Sequence, residues 1–324
     1  MNETQGEKTN KARALRPDST EFKDFIASGW GDVESDASRL GSAPYAAARR
    51  HRLSHKFTGT RIVIPAGDFK PRANDTDYRF RPLSDFAYLT GLGTDHEPGA
   101  VLVFEPTDDG RHDVALYLIP PAGPGEEGFY ADPRSGEFWI GRRPTLAEMQ
   151  AMTGIVCRPL AELPSDIDLA EHPSPKVSRK LSKMRMVKDE WEIQQIREAV
   201  DATIAGFERV VRELPRAVEH KRGERVIEAT FDGHAREEGN AVGYETIAAA
   251  GPHAATLHWI TNHGQVREGD LLLLDAGVEV ESLYTADITR TMPISGTFSP
   301  VQRKVYDVVL EAADAAFAVA RPGA

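Results

Sequence analysis

Apolar side chains recur at Ile193, Ile196, Val200, Ile204, Phe207, Val211 and Leu214, in steps of three and four. That spacing predicts an amphipathic helix over residues 188–214 that lays one face on a sheet, with Pro215 as its stop. A second helix is expected from Glu224 to Glu238, ended by Gly239-Asn240, and a strand from Tyr244 to Ala250. The clearest apolar run follows: Leu271-Leu272-Leu273-Leu274, bounded by Gly269-Asp270 and Asp275-Ala276-Gly277. Its composition predicts a strand buried on both faces. A further strand is expected around Ala286. Ser299-Pro300-Val301-Gln302 reads as a capping box with Pro in the first helical position, opening a helix to about Ala320 that Arg321-Pro322-Gly323 ends.

The N-terminal half mixes the two periods. Residues up to about Ser19 are polar and aperiodic, which predicts a flexible tail. Short helices are expected from Ser19 through Ile26 and from Ser42-Ala43-Pro44 through His55. Arg61–Pro65, Ala100–Glu105 and Asp113–Ile119 read as strands, the last two joined at an Asp108-Asp109-Gly110 turn. Thr145 and Glu148 form a capping box for another helix. Pro164, Pro173 and Pro175 then interrupt any regular element and predict a linker. The expected organisation is α/β (α+β): an N-terminal extension over 1–40, an α/β domain over 41–175, and a second domain over 176–324.

Charge and composition narrow the partners. At 324 residues the chain is long enough for two cores, and 40% hydrophobic with 27% charged residues is ordinary for a soluble protein. A net charge of −11 argues against nucleic acid or an anionic membrane. It also argues against reading the interleaved Arg and aromatic residues of 72–81 as a single-strand binding loop. The Arg49-Arg50-His51-Arg52 cluster reads as a solvated helix face. Cys157 is the single cysteine, so no intrachain disulfide forms, and a reducing cytoplasmic setting is expected. No apolar run reaches the length of a membrane span, and the polar N-terminus carries no signal-type apolar core.

The leucine run delivers Asp275 at its end, and Asp287 follows at the next strand. Alone, Asp275 could cap a turn, with Gly277 two residues on. Burying an unpaired carboxylate costs several kcal/mol, and two from adjacent strands repel unless a cation lies between them. The pair therefore points to a divalent metal. His258, taken alone, reads as a histidine satisfied in a core or turn, and His253 and His263 receive no role.

LLLLDAG followed by ADITRTMP resembles the metal-site segments of the pita-bread metallopeptidases, specifically aminopeptidase P. Leu257-His258-Trp259 with Asn262 lies upstream where that family has its active-site histidine, and NDTDYRFRPLSDFAYLTG (74–91) is similar to its N-terminal domain. The resemblance runs over residues 43–324. It implies two divalent ions, usually manganese, held by Asp, Asp, His, Glu and Glu in chain order. Asp275 is implied to chelate one ion, Asp287 to bridge both, and His258 to hydrogen-bond the substrate peptide. Water activated between the ions would attack the bond between an N-terminal residue and a following proline. The remaining His, Glu and Glu are implied to lie past Ala324, so this polypeptide is expected to be inactive and poorly soluble, with weak manganese binding. Peptides with proline second are the implied partners, and a homodimer or homotetramer the implied assembly of a full-length protein. Prolidase shares both domains, creatinase shares the fold, methionine aminopeptidase shares the site without the N-terminal domain, and a non-catalytic fragment that only pairs with other subunits is the remaining alternative.

Overall fold

The computed structural model describes residues 19–31, 37–74 and 76–324. The tail expected up to Ser19 lies, for residues 1–18, outside them. Contacts divide the chain into two units between Val187 and Lys188.

In the first unit, helix α1 (Thr20–Ile26) is capped by Ser19, whose hydroxyl accepts from the Phe22 N–H at 3.2 Å. Four strands form one sheet in the order β1 (Ile62–Pro65), β2 (Val101–Pro106), β3 (His112–Leu118), β4 (Val156–Pro159), the last pair parallel and the others antiparallel. Helices α2 (Ala43–Ser54), α3 (Ser84–Thr90), α4 (Leu146–Thr153) and α5 (Pro175–Arg185) supply the rest of the unit's regular core elements. Leu53, Ile62, Ile64, Phe86, Leu102, Phe104, Leu116, Met149 and Leu181 meet in a single cluster. The capping box of Thr145 and Glu148 forms as expected. Beyond the Pro164–Pro175 stretch, α5 packs Val177, Leu181 and Met184 into this same cluster, so contacts divide further along the chain.

The arginine cluster departs from its expected solvated role. Arg49 is 1% exposed, donates to the Tyr88 carbonyl at 3.1 Å and lies 4.5 Å over the Tyr88 ring. Arg50 donates to the Leu89 carbonyl at 2.7 Å. The last carbonyls of a helix lack intrahelical donors, and here two guanidinium groups from α2 satisfy those of α3. Arg49→Leu is expected to cost about 1–3 kcal/mol, read as a lowered urea midpoint, because it strands a buried carbonyl.

The second unit opens on α6 (Glu190–Glu219), N-capped by a reciprocal box between Asp189 and Glu192. Pro215 does not end it: the helix continues to Glu219. Proline removes one N–H, but Leu214 and Ala217 are buried on either side of it, and that packing holds the last turn. Helix α7 (Gly223–Glu238) packs against α6, and the pair covers one face of an antiparallel sheet ordered β9 (Ile288–Pro293), β7 (Leu271–Ala276), β6 (Ile247–Ala250). A small ribbon joins β5 (Ala241–Val242) to β8 (Val278–Glu279).

The leucine strand is buried on one face, not both. Leu272, Leu274 and Ala276 are fully buried against Phe207, Val210, Leu214, Ile227 and Phe231 of the two helices. Leu271, Leu273 and Asp275 point the other way and are only partly covered. Side chains alternate along a strand, so the leucine run still sorts by parity, and Asp275 falls on the half-open face. Helix α8 (Pro300–Val319) starts at the expected Ser299 capping box, and Gln302 donates to the Gly269 carbonyl at 2.8 Å. It has no buried residue, with Val301 73% and Phe317 85% exposed.

Candidate metal centre

Asp275 sits in β7 opposite Thr289 of β9 and Ile247 of β6. Asp287 immediately precedes β9. What brings their carboxylates near each other is a close approach of three backbone segments through two glycines. A Cβ on Gly277 would lie 1.7 Å from the Ala286 carbonyl oxygen, and one on Gly243 would lie 2.1 Å from Thr285 Cγ2. Gly243 N–H also donates to the Gly277 carbonyl at 2.8 Å. The chain around this crossing is fixed to α6 at two points: Val278 N–H donates to Thr203 Oγ1 at 2.9 Å, and the Tyr284 hydroxyl to Glu192 at 2.7 Å.

One residue past Gly243, Tyr244 reaches both acids. Its hydroxyl lies 2.6 Å from Asp275 Oδ1 and 3.0 Å from Asp287 Oδ1. Burial, then the hydrogen bonds and charges of Asp275 and Asp287, push this phenol well above its ordinary value, so it remains a donor. It has one proton to give, and two carboxylates face it. The cluster is thus rich in oxygen acceptors and short of positive charge, a donor set that suits a hard divalent cation. Among the described residues, no group of three or more His, Cys, Asp or Glu side chains is arranged to hold a metal by itself.

His258 occupies an exposed position between β6 and β7, and among the described residues its ring makes no hydrogen bond to either acid. The structure therefore joins Asp275 to Asp287 through Tyr244. The segment carrying His258 is tied down by a buried acid that sequence reading passed over. Glu224, at the start of α7, is 0% exposed. Its Oε1 accepts from Ala250 N–H at 2.9 Å and meets His253 Nδ1 at 2.8 Å. Its Oε2 accepts from Gly264 N–H at 2.6 Å and Trp259 Nε1 at 2.9 Å. Burial opposes its charge, but these four partners outweigh it and hold the carboxyl below its ordinary value. The His253 ring stacks on Trp259 at 3.9 Å between centroids, giving that otherwise unassigned histidine a packing role.

Residues 46–177 match the aminopeptidase P N-terminal domain, and residues 194–324 match metallopeptidase family M24. A Xaa-Pro aminopeptidase 2 of Streptomyces coelicolor is 44% identical to this chain, over 94% of the chain and 69% of that protein. The chain belongs to the aminopeptidase P family. A Xaa-Pro aminopeptidase 1 of the same organism is 46% identical, over 94% of this chain and 66% of that protein. Among solved structures, Zn-substituted Escherichia coli aminopeptidase P in complex with product has a TM-score of 0.69 at 25% identity, covering 87% of this chain and 69% of that one. Proline aminopeptidase P II from Yersinia pestis has a TM-score of 0.66 at 27% identity, over 84% of this chain and 67% of that one. The mixed α/β architecture, an aminopeptidase P N-terminal domain followed by an M24 pita-bread domain, agrees with the fold class expected from the sequence. As a member of this family the chain is a metallopeptidase with a divalent-metal requirement.

Proposed function

We propose that this aminopeptidase P chain carries part of the site that hydrolyses the bond between an N-terminal residue and a following proline, with manganese as the metal. The observation that carries this reading is the pairing of Asp275 and Asp287 on one tyrosine hydroxyl, on the half-open face of β7. When bound, divalent ions supply Lewis acidity and neutralise the carboxylates. Asp275 and Asp287 are the residues that would hold those ions. Tyr244 donates to the carboxylates and fixes their orientation. His258, exposed on its loop, hydrogen-bonds the substrate peptide. In this reading the full-length protein is cytoplasmic and assembles as a homodimer or homotetramer.

Two carboxylates are the acidic ligands that the described residues bring together, and in this reading they bind manganese weakly by themselves. The peptidase reading is tested on the purified protein. Xaa-Pro-Xaa peptides assayed with and without manganese should be cleaved only with the metal. Turnover of Xaa-Pro dipeptides alone would assign the chain to prolidase instead. Asp287→Asn should abolish that activity with the fold intact, whereas His258→Ala should lower turnover and leave metal content unchanged. Tyr244→Phe removes the shared donor and is expected to weaken divalent-ion affinity about 10–100-fold, as losing an outer-shell partner does. Equal affinity in Tyr244→Phe and wild type would remove the tyrosine from the site.

A further inference from the structure

The arginine-rich end of α2 holds a feature that the peptidase reading does not use. His51 and His55 lie one turn apart, both exposed, with their Nε2 atoms 3.0 Å from each other. The spacing is set by the backbone, since the His55 N–H donates to the His51 carbonyl at 3.2 Å and closes the last helical turn. The rings stand at 75° with centroids 4.3 Å apart, and their Nε2 atoms are the groups that meet. We propose that His51 and His55 form a surface chelate for a borderline transition-metal ion, separate from the carboxylate pair of the M24 domain.

The geometry selects the kind of ion. With metal–imidazole bonds of about 2.0–2.1 Å, nitrogens 3.0 Å apart subtend about 90° at the metal. That is the cis angle of square-planar and octahedral coordination, whereas a tetrahedral ion asks for a wider one. Copper(II) and nickel(II) prefer tetragonal nitrogen and oxygen sites, and zinc prefers tetrahedral ones. The ion would take its remaining ligands from water. Position helps as well: the pair sits at the C-terminal end of α2, where the helix dipole favours positive charge. Of the flanking cations, Arg52 turns its guanidinium to the Tyr88 hydroxyl at 3.1 Å and is drawn toward α3. Neither histidine is buried, so a metal reaches both without opening the fold.

The test uses copper(II) on the whole chain, with Asp275→Asn/Asp287→Asn as background to silence the carboxylate pair. Electron paramagnetic resonance at one equivalent should show two equatorial imidazole nitrogens, reduced to one in His51→Ala and in His55→Ala. The same variants should bind nickel(II) at least about 10-fold more weakly in a titration, while His258→Ala should match its parent. Circular dichroism of the two exposed-site variants verifies that α2 is intact. A His51→Ala/His55→Ala chain whose copper spectrum and nickel affinity equal those of the parent would overturn the proposal. So would a parent chain with no nitrogen-ligated copper, which would leave the 3.0 Å contact as a hydrogen bond between imidazoles.

Discussion

Gly277→Ala is expected to unfold the site end of the second domain, with a stability loss above about 3 kcal/mol. The substituted methyl would lie 1.7 Å from the Ala286 carbonyl oxygen, a backbone atom that no rotamer change can move aside. Relief requires β7 and the segment entering β9 to separate, and Asp287 is the residue after Ala286. Its carboxylate then leaves the Tyr244 hydroxyl, now 3.0 Å away. Manganese affinity should therefore fall together with the thermal midpoint. Gly233, where an added Cβ meets nothing within 4 Å, is the matched control: Gly233→Ala should be tolerated and even slightly stabilising within α7. A Gly277→Ala chain with wild-type midpoint and metal affinity would show that the crossing does not hold the acids together.

Glu224→Ala should cost about 3–5 kcal/mol, as removing one partner from a buried charged cluster does. It strands the Ala250 and Gly264 N–H groups, Trp259 Nε1 and His253 at once. Glu224→Gln is the sharper variant. Its amide nitrogen would occupy one oxygen position and face donors there: Ala250 N–H and His253 on one side, or Gly264 N–H and Trp259 on the other. Hydrogen exchange at the Ala250 and Gly264 amides should accelerate in both variants, and the loop bearing His258 should loosen with them. The pH dependence follows from the same contacts. The folded carboxyl lies below its ordinary value, so its stabilisation is present above the unfolded value, near pH 4.3, and is lost as pH falls through the folded one. Glu224→Gln should remove that portion of the acid transition. Unchanged exchange and an unchanged acid limb would refute the role assigned to Glu224.

What could be read from the sequence was local. The capping boxes at Thr145 and Ser299 and the strand at Leu271 depend on neighbours within a few positions, and all three form. Asp275 and Asp287 stand out in the sequence as acids beside apolar strands, and both meet the Tyr244 hydroxyl. The misreadings share a physical cause. Pro215 breaks helices by local rule, yet burial of Leu214 and Ala217 outweighs one missing hydrogen bond. Arg49 and Arg50 look solvated until α3 presents carbonyls to them from across the fold. The four leucines look uniform, and only the packing of α6 and α7 on one side separates Leu272 and Leu274 from Leu271 and Leu273. Tyr244 and Glu224 were missed for the same reason. Their partners lie 31 and 43 residues away for Tyr244, and up to 40 for Glu224, and no spacing rule connects them.

Asp275 and Asp287, paired on the Tyr244 hydroxyl, are proposed to bind a divalent ion together. Titration of manganese(II), followed by loss of the free-ion paramagnetic resonance signal, tests this directly on the 324-residue chain. Weak binding is expected, falling in Asp275→Asn and in Asp287→Asn and vanishing in the double variant, with circular dichroism unchanged throughout. Manganese uptake that is identical in wild type and double variant would contradict the proposal.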